Sequence, residues 1–134
     1  MLVLDNNLLS DYLDGTASAR QFLEQYTQDV WAVSSIVLYE AYMGSVHGHI
    51  DGSPETIRQA VTASMEVLDV TEGTANEAAA LQGELLDRGV PAAHPDTLIA
   101  ATARQHGAQF ATAEKHFWNE DVQDVLDVAE YDPY

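Results

Sequence analysis

A chain of 134 residues has the length of one compact domain, and the absence of cysteine excludes a disulfide framework or a thiolate metal site. An apolar content of 46% supports a real core and argues against the disorder that a formal net charge of −17 might otherwise suggest. The 22 acidic residues are spread along the whole length against 5 basic ones, with Lys115 the only lysine. We read this as a surface adapted to concentrated salt, where a screening length of about 3 Å at 1 M suppresses self-repulsion, the expectation being a halophile's cytoplasm. The alternative is an ordinary acidic domain with a basic partner. No stretch approaches the ~20 apolar residues of a membrane span, and Met1-Leu2-Val3-Leu4 runs into Asp5 with no basic region ahead of it, so neither a membrane segment nor a signal peptide is expected.

Taken in chain order, Leu2 to Asp5 predicts a buried strand, and Asn6 to Leu13 a helix broken at Gly15. Thr16 caps a second helix reaching about Tyr26. Val30 to Ser34 predicts a short strand, Ser35 to about Val46 a helix, and His47 to Ser53 a loop. Pro54 opens a helix to about Met65, followed by a third strand, Glu66 to Val70. A long Ala/Leu/Glu helix from Thr71 to Arg88 ends at Gly89, a loop begins at Pro91, and Pro95 opens a helix that Gly107 closes. Gln109 to Thr112 and Val125 to Val128 predict the last two strands. No repeat or linker divides the chain, so residues 1–134 form a single α/β domain with a mainly parallel sheet.

In such sheets the ligand site lies beyond the carboxyl ends of the strands. Asp5 closes the first strand, Ser34 the second, and Glu114 follows the fourth; Glu40 and Asp96 lie on helices that start from the same edge. Glu40 is the most telling of the acids. Its helical neighbours Ile36, Val37, Met43 and Gly44 place it in the apolar stripe, where an unneutralised carboxylate is costly. Asp96 has Ile99, Ala100 and Ala103 above it, although an acid in a first helical turn is also favoured by the dipole. Asp5 also reads as a helix cap and Glu114 as a loop acid, while Ser34 and Thr112 also read as satisfied hydroxyls at strand ends. Asp11, Asp14 and the acids from Asp121 to Asp132 read as solvated surface. Oxygen ligands scattered in sequence but converging in space suit Mg²⁺ or Mn²⁺. The histidines at 47, 49, 94, 106 and 116 lack zinc-ligand spacing, and neither a phosphate-binding glycine loop nor a nucleophile elbow is present.

Leu4-Asp5-Asn6-Asn7-Leu8-Leu9, then Ser34 six before Glu40 with Gly44 four after it, then Asp96-Thr97-Leu98-Ile99-Ala100-Ala101-Thr102-Ala103, then Thr112-Ala113-Glu114-Lys115-His116-Phe117, together resemble the PIN-domain nucleases. Within that family the chain looks most like the VapC-type toxins of toxin–antitoxin pairs, over nearly its full length. The resemblance implies a three-layer α/β/α fold and a metal-dependent ribonuclease. By motif position Asp5, Glu40, Asp96 and Glu114 would hold one or two Mg²⁺ or Mn²⁺ ions, with Asn7, Ser34 and Thr112 as polar neighbours. It also implies RNA as substrate, an antitoxin protein as partner, and self-pairing into a homodimer. Asn6 stands where Thr or Ser is common, Val37 where Thr often lies, and Glu114 where Asp or Asn is usual. The Phe22-Leu23 and Tyr39-Tyr42 stretches, if exposed, would anchor a partner or a second subunit.

Two other phosphate-handling folds share an acid after the first strand. A haloacid-dehalogenase-like phosphatase needs a second Asp where Asn7 stands, and a response-regulator receiver needs a paired acid beside Asp5, where Asn6 stands. A catalytically inactive domain of the PIN-like fold, kept as an acidic protein-binding module, is the alternative from a different functional class.

Overall fold

The computed structural model describes all residues, 1–134. Five parallel strands form one sheet in the order β3-β2-β1-β4-β5: β1 (Leu2–Leu4), β2 (Trp31–Ser34), β3 (Glu66–Leu68), β4 (Gln109–Thr112) and β5 (Val128–Glu130). The central strand is inaccessible at Leu2, Val3 and Leu4, matching the continuous apolar run that a strand covered on both faces requires.

Most of the helices begin at a polar cap. Asp5 caps α1 (Asn6–Asp14), Thr16 caps α2 (Ala17–Leu23), which tightens into a 3-10 turn at Glu24–Tyr26, and Ser34 caps α3 (Ser35–Val46). Ser53 caps α4 (Pro54–Ser64), and Thr71 with Thr74 forms a capping box on α5 (Glu72–Asp87). Helix α6 (His94–Gln105) has no side-chain cap and carries Pro95 in its first turn, and Asn119 caps α7 (Glu120–Gln123). Gly15, at φ 70, turns the chain out of α1. A Cβ on Gly44 would stand 2.7 Å from Ile50 Cδ1, so that glycine lets the loop after α3 fold back against the helix.

The strand order fixes where a site can form. From β1 the chain moves outward through β2 to β3, then returns across β1 to β4 and continues outward to β5. Right-handed crossovers therefore place α1 to α4 on one face and α5 to α7 on the other, the expected α/β/α layering. Connections leave β1 and β4 in opposite directions, which makes their carboxyl ends the topological switch point.

Two expectations need correction. The final strand lies at Val128–Glu130, because Asn119 caps the short α7 and Val122 and Leu126 are spent on the core before the strand begins. Asp11 is not solvated surface: its Oδ2 accepts a 2.6 Å hydrogen bond from the buried Tyr131 hydroxyl. Of the expected apolar anchors, Leu23 is buried and Phe22 packs on Tyr26 and Tyr131, while Tyr39 is 59% exposed. No helix is long and apolar enough to cross a membrane.

Candidate active site

Asp5 leaves β1 at the switch point, and its position follows from its role as a cap. Oδ1 accepts the Asn6 N–H at 2.8 Å and Oδ2 accepts the Thr112 hydroxyl at 2.7 Å, which ties β1 to β4. Its carboxyl is pushed above the ordinary range by burial; the Thr112 and Asn6 bonds oppose this, and the charges of Asp96 and Glu114 add to it. Ser34, fully buried, sends α3 off the end of β2, and two turns later the helix presents Glu40. Burial is the main cause of an upward shift at Glu40, followed by Asp5 and then Asp96. Glu40 Oε1 is buried and has no hydrogen-bond partner.

Asp96 enters from the opposite helical layer, half-buried in the first turn of α6. Glu114 lies just past β4, its N–H donating to Thr112 Oγ1 at 3.0 Å while its side chain is exposed. The fold thus brings Asp5, Glu40 and Asp96 within mutual electrostatic reach and adds Glu114 beside Asp5. None of the ion pairs in the protein involves any of the four.

The expected polar neighbours differ in what they do. Thr112 touches Asp5 directly, whereas the Ser34 hydroxyl oxygen is occupied in capping α3 through Val37 N–H at 3.1 Å. Asn7 is exposed in the first turn of α1 and borders a cavity that none of the four acids lines. Val37, where the family often carries Thr, is fully buried core. Sequence reasoning missed Asp11, Lys115 and Trp118 beside that cavity; the one usable signal was that Lys115 is the only lysine in so acidic a chain.

As the side chains stand, no three carboxylates or imidazoles converge at metal-ligand spacing. The chemistry nonetheless fits a hard cation. All the donors are oxygens, one is buried without a partner, and no protein cation offsets the charge.

A parallel α/β domain with an acidic cluster at its switch point is the class that fold and site define. The PIN domain family model matches residues 2–119, and the chain belongs to that family of nucleases. No curated protein matches it in sequence. Among solved structures it is similar to a toxin–antitoxin complex from Klebsiella pneumoniae, 25% identical with a TM-score of 0.76, covering 100% of this chain and 98% of that one. The VapBC2 complex from Rickettsia felis bound to a promoter DNA fragment is 22% identical, with a TM-score of 0.75 and 98% of each chain covered. FitAcB from Neisseria gonorrhoeae is 22% identical at a TM-score of 0.69, covering 99% of this chain and 98% of that one. The last two likenesses are of fold.

Proposed function

We propose that the protein is an endoribonuclease dependent on Mg²⁺ or Mn²⁺ and the toxin of a VapBC-type toxin–antitoxin pair. The observation that carries this reading is Glu40: a buried oxygen without a partner, on a helix stripe otherwise apolar, facing the charges of Asp5 and Asp96. Such a carboxylate costs stability unless a cation meets it. Asp5, Glu40 and Asp96 would hold the main ion, and Glu114 would place a second ion or orient the attacking water. A divalent cation bound there offsets the charge of a phosphodiester and lowers the pKa of its water.

The chain's own residues supply position. Thr112 and the Asn6 N–H fix both oxygens of Asp5, so that the carboxylate does not turn when substrate arrives. The same Thr112 oxygen holds the backbone of Glu114, setting the two acids in one frame. By the family's chemistry, cleavage leaves a 5′-phosphate and a 3′-hydroxyl. Likeness to toxin–antitoxin structures supports an antitoxin partner, and the exposed Tyr39 supports a contact for that partner or for a second copy in a homodimer.

The test is cleavage of single-stranded or looped RNA across a metal series. Activity should require Mg²⁺ or Mn²⁺, vanish in EDTA, and be lost in Asp5→Asn, Glu40→Gln and Asp96→Asn while circular dichroism shows the fold intact. Cleavage that survives EDTA or all three changes would overturn the reading. The second reading, an inactive acidic binding module, draws on the lack of three side chains at ligand spacing and predicts no metal-dependent cleavage at all.

A further inference from the structure

A cavity of about 450 Å³ opens between α1, the start of α2, the segment after β4 and the C-terminal residues. That volume lies in the range of small-ligand sites. None of the four acids lines it, but Asn7 stands two residues after Asp5, and Ala113 and Lys115 flank Glu114 in the chain, so the cavity borders the segments that carry two of them.

Three features of the lining bear on the occupant. Lys115 makes no ion pair, although the chain carries 22 acids against 5 basic residues. The Trp118 indole is half-buried and pinned to the end of β4, its Nε1–H donating to Thr112 O at 3.0 Å. Two carboxylates, Asp11 and Asp132, stand in the lining beside the Asn7 amide and the Thr16 and Ser18 hydroxyls. Ser18 Oγ spends its proton on Pro133 O at 3.0 Å, Asp11 Oδ2 takes the Tyr131 hydroxyl, and Asp132 Oδ1 takes the Tyr134 N–H at 3.0 Å. Each of the two carboxylates keeps a second oxygen outside these bonds.

We infer that this cavity is a nucleotide subsite that receives a guanosine flanking the cleaved phosphate, with Lys115 on a backbone phosphate, Trp118 against the base, and the Asp11 and Asp132 carboxylates reading its edge. The inference rests on the acidic cluster being an RNA-cleaving site. A cation beside an aromatic face is what single-stranded nucleic acid requires, because the phosphate takes the charge and any base offers a π-face. The two acceptor-only carboxylates in the lining, Asp11 and Asp132, supply the choice of base. Guanine presents N1–H and the N2 amino group side by side, one donor for the remaining oxygen of each carboxylate, whereas uracil presents one donor between two carbonyls that the same oxygens repel.

The test is calorimetric titration of the full chain with guanosine and uridine 5′-monophosphates in EDTA, so that the result does not depend on the metal site. GMP should bind about tenfold more tightly than UMP, the size of a two-donor contact. Lys115→Gln should weaken both nucleotides alike, and Asp132→Asn, at an exposed position in the tail, should narrow the ratio between them. Equal affinities, or binding that neither change moves, would overturn the subsite. A protein that binds GMP selectively yet cuts no RNA in Mg²⁺ or Mn²⁺ keeps the subsite and overturns the nuclease reading.

Discussion

Asp5 and Thr112, 107 positions apart, share a buried 2.7 Å hydrogen bond from Thr112 Oγ1 to Asp5 Oδ2. The hydroxyl also accepts the Glu114 N–H, so one side chain couples the two strands of the switch point to two of the four acids. Thr112→Val keeps the shape and removes this coupling. It should cost about 1–3 kcal/mol in denaturant unfolding and lower metal affinity about tenfold, whereas Thr112→Ser should lose little of either.

The acidic cluster makes the metal-free fold sensitive to pH in a definite direction. Burial raises Asp5 above 3.8 and Glu40 above 4.5, their ordinary values. Groups raised in the folded state contribute stability that is fully present below those values and lost as pH rises through the folded-state pKa. Thermal unfolding in EDTA should therefore show Glu40→Gln melting above the parent protein at pH 7, with the difference closing near pH 4. Saturating Mg²⁺ should reverse the order at pH 7 by binding the parent more tightly.

Tyr131 secures the C-terminal segment from the other side. Its buried hydroxyl donates to Asp11, and burial, followed by that bond and that charge, pushes its pKa up to about 12. The tyrosine thus stabilises the fold fully below its ordinary value of 10.0 and less as pH rises through about 12. Alkaline unfolding between those limits should be blunted in Tyr131→Phe, which at neutral pH should cost about 1–2 kcal/mol for the lost bond. Stability measured against pH from 8 to 12 checks both parts.

The sequence shows those parts of the molecule whose physics is local. Apolar runs and caps at Asp5 and Thr16 mark the early elements within a residue or so, because a cap satisfies the backbone of its own helix. Glu40 stands out because one carboxylate breaks a helical stripe. The strand order, the partner of Asp11 and the cavity beside Lys115 depend on residues distant in the chain, which no periodicity records. The last strand is displaced for a local reason: Asn119 is a cap, and the valines that follow it serve a helix and a turn.

The surface charge gives a fourth prediction. Arg88 pairs with Asp121 and Asp124, and Arg104 with Glu77 and Glu84, which leaves most of the acids without a protein cation. If the composition is a salt adaptation, helical signal should fall on dialysis from molar KCl into dilute buffer and return on reversal. Circular dichroism across that range decides the matter, and a fold indifferent to salt would point to a basic partner instead.

The last prediction concerns how such a partner would silence the site. The acids proposed to hold a metal also suit a guanidinium, which engages two carboxylate oxygens with charge-assisted hydrogen bonds and would compete for the same atoms. Glu40 Oε1, buried without a partner, is the atom most in need of such a donor, and the exposed Tyr39 beside it offers apolar surface to the segment carrying the arginine. Co-expression with a cognate antitoxin should therefore yield a stable complex without nuclease activity, and rising Mg²⁺ should partly restore cleavage. Tyr39→Ala should weaken the complex without touching the acids. Metal affinity separates occlusion from remote inhibition: a silent complex that binds Mg²⁺ as tightly as the free protein would show that the antitoxin acts away from Asp5, Glu40 and Asp96.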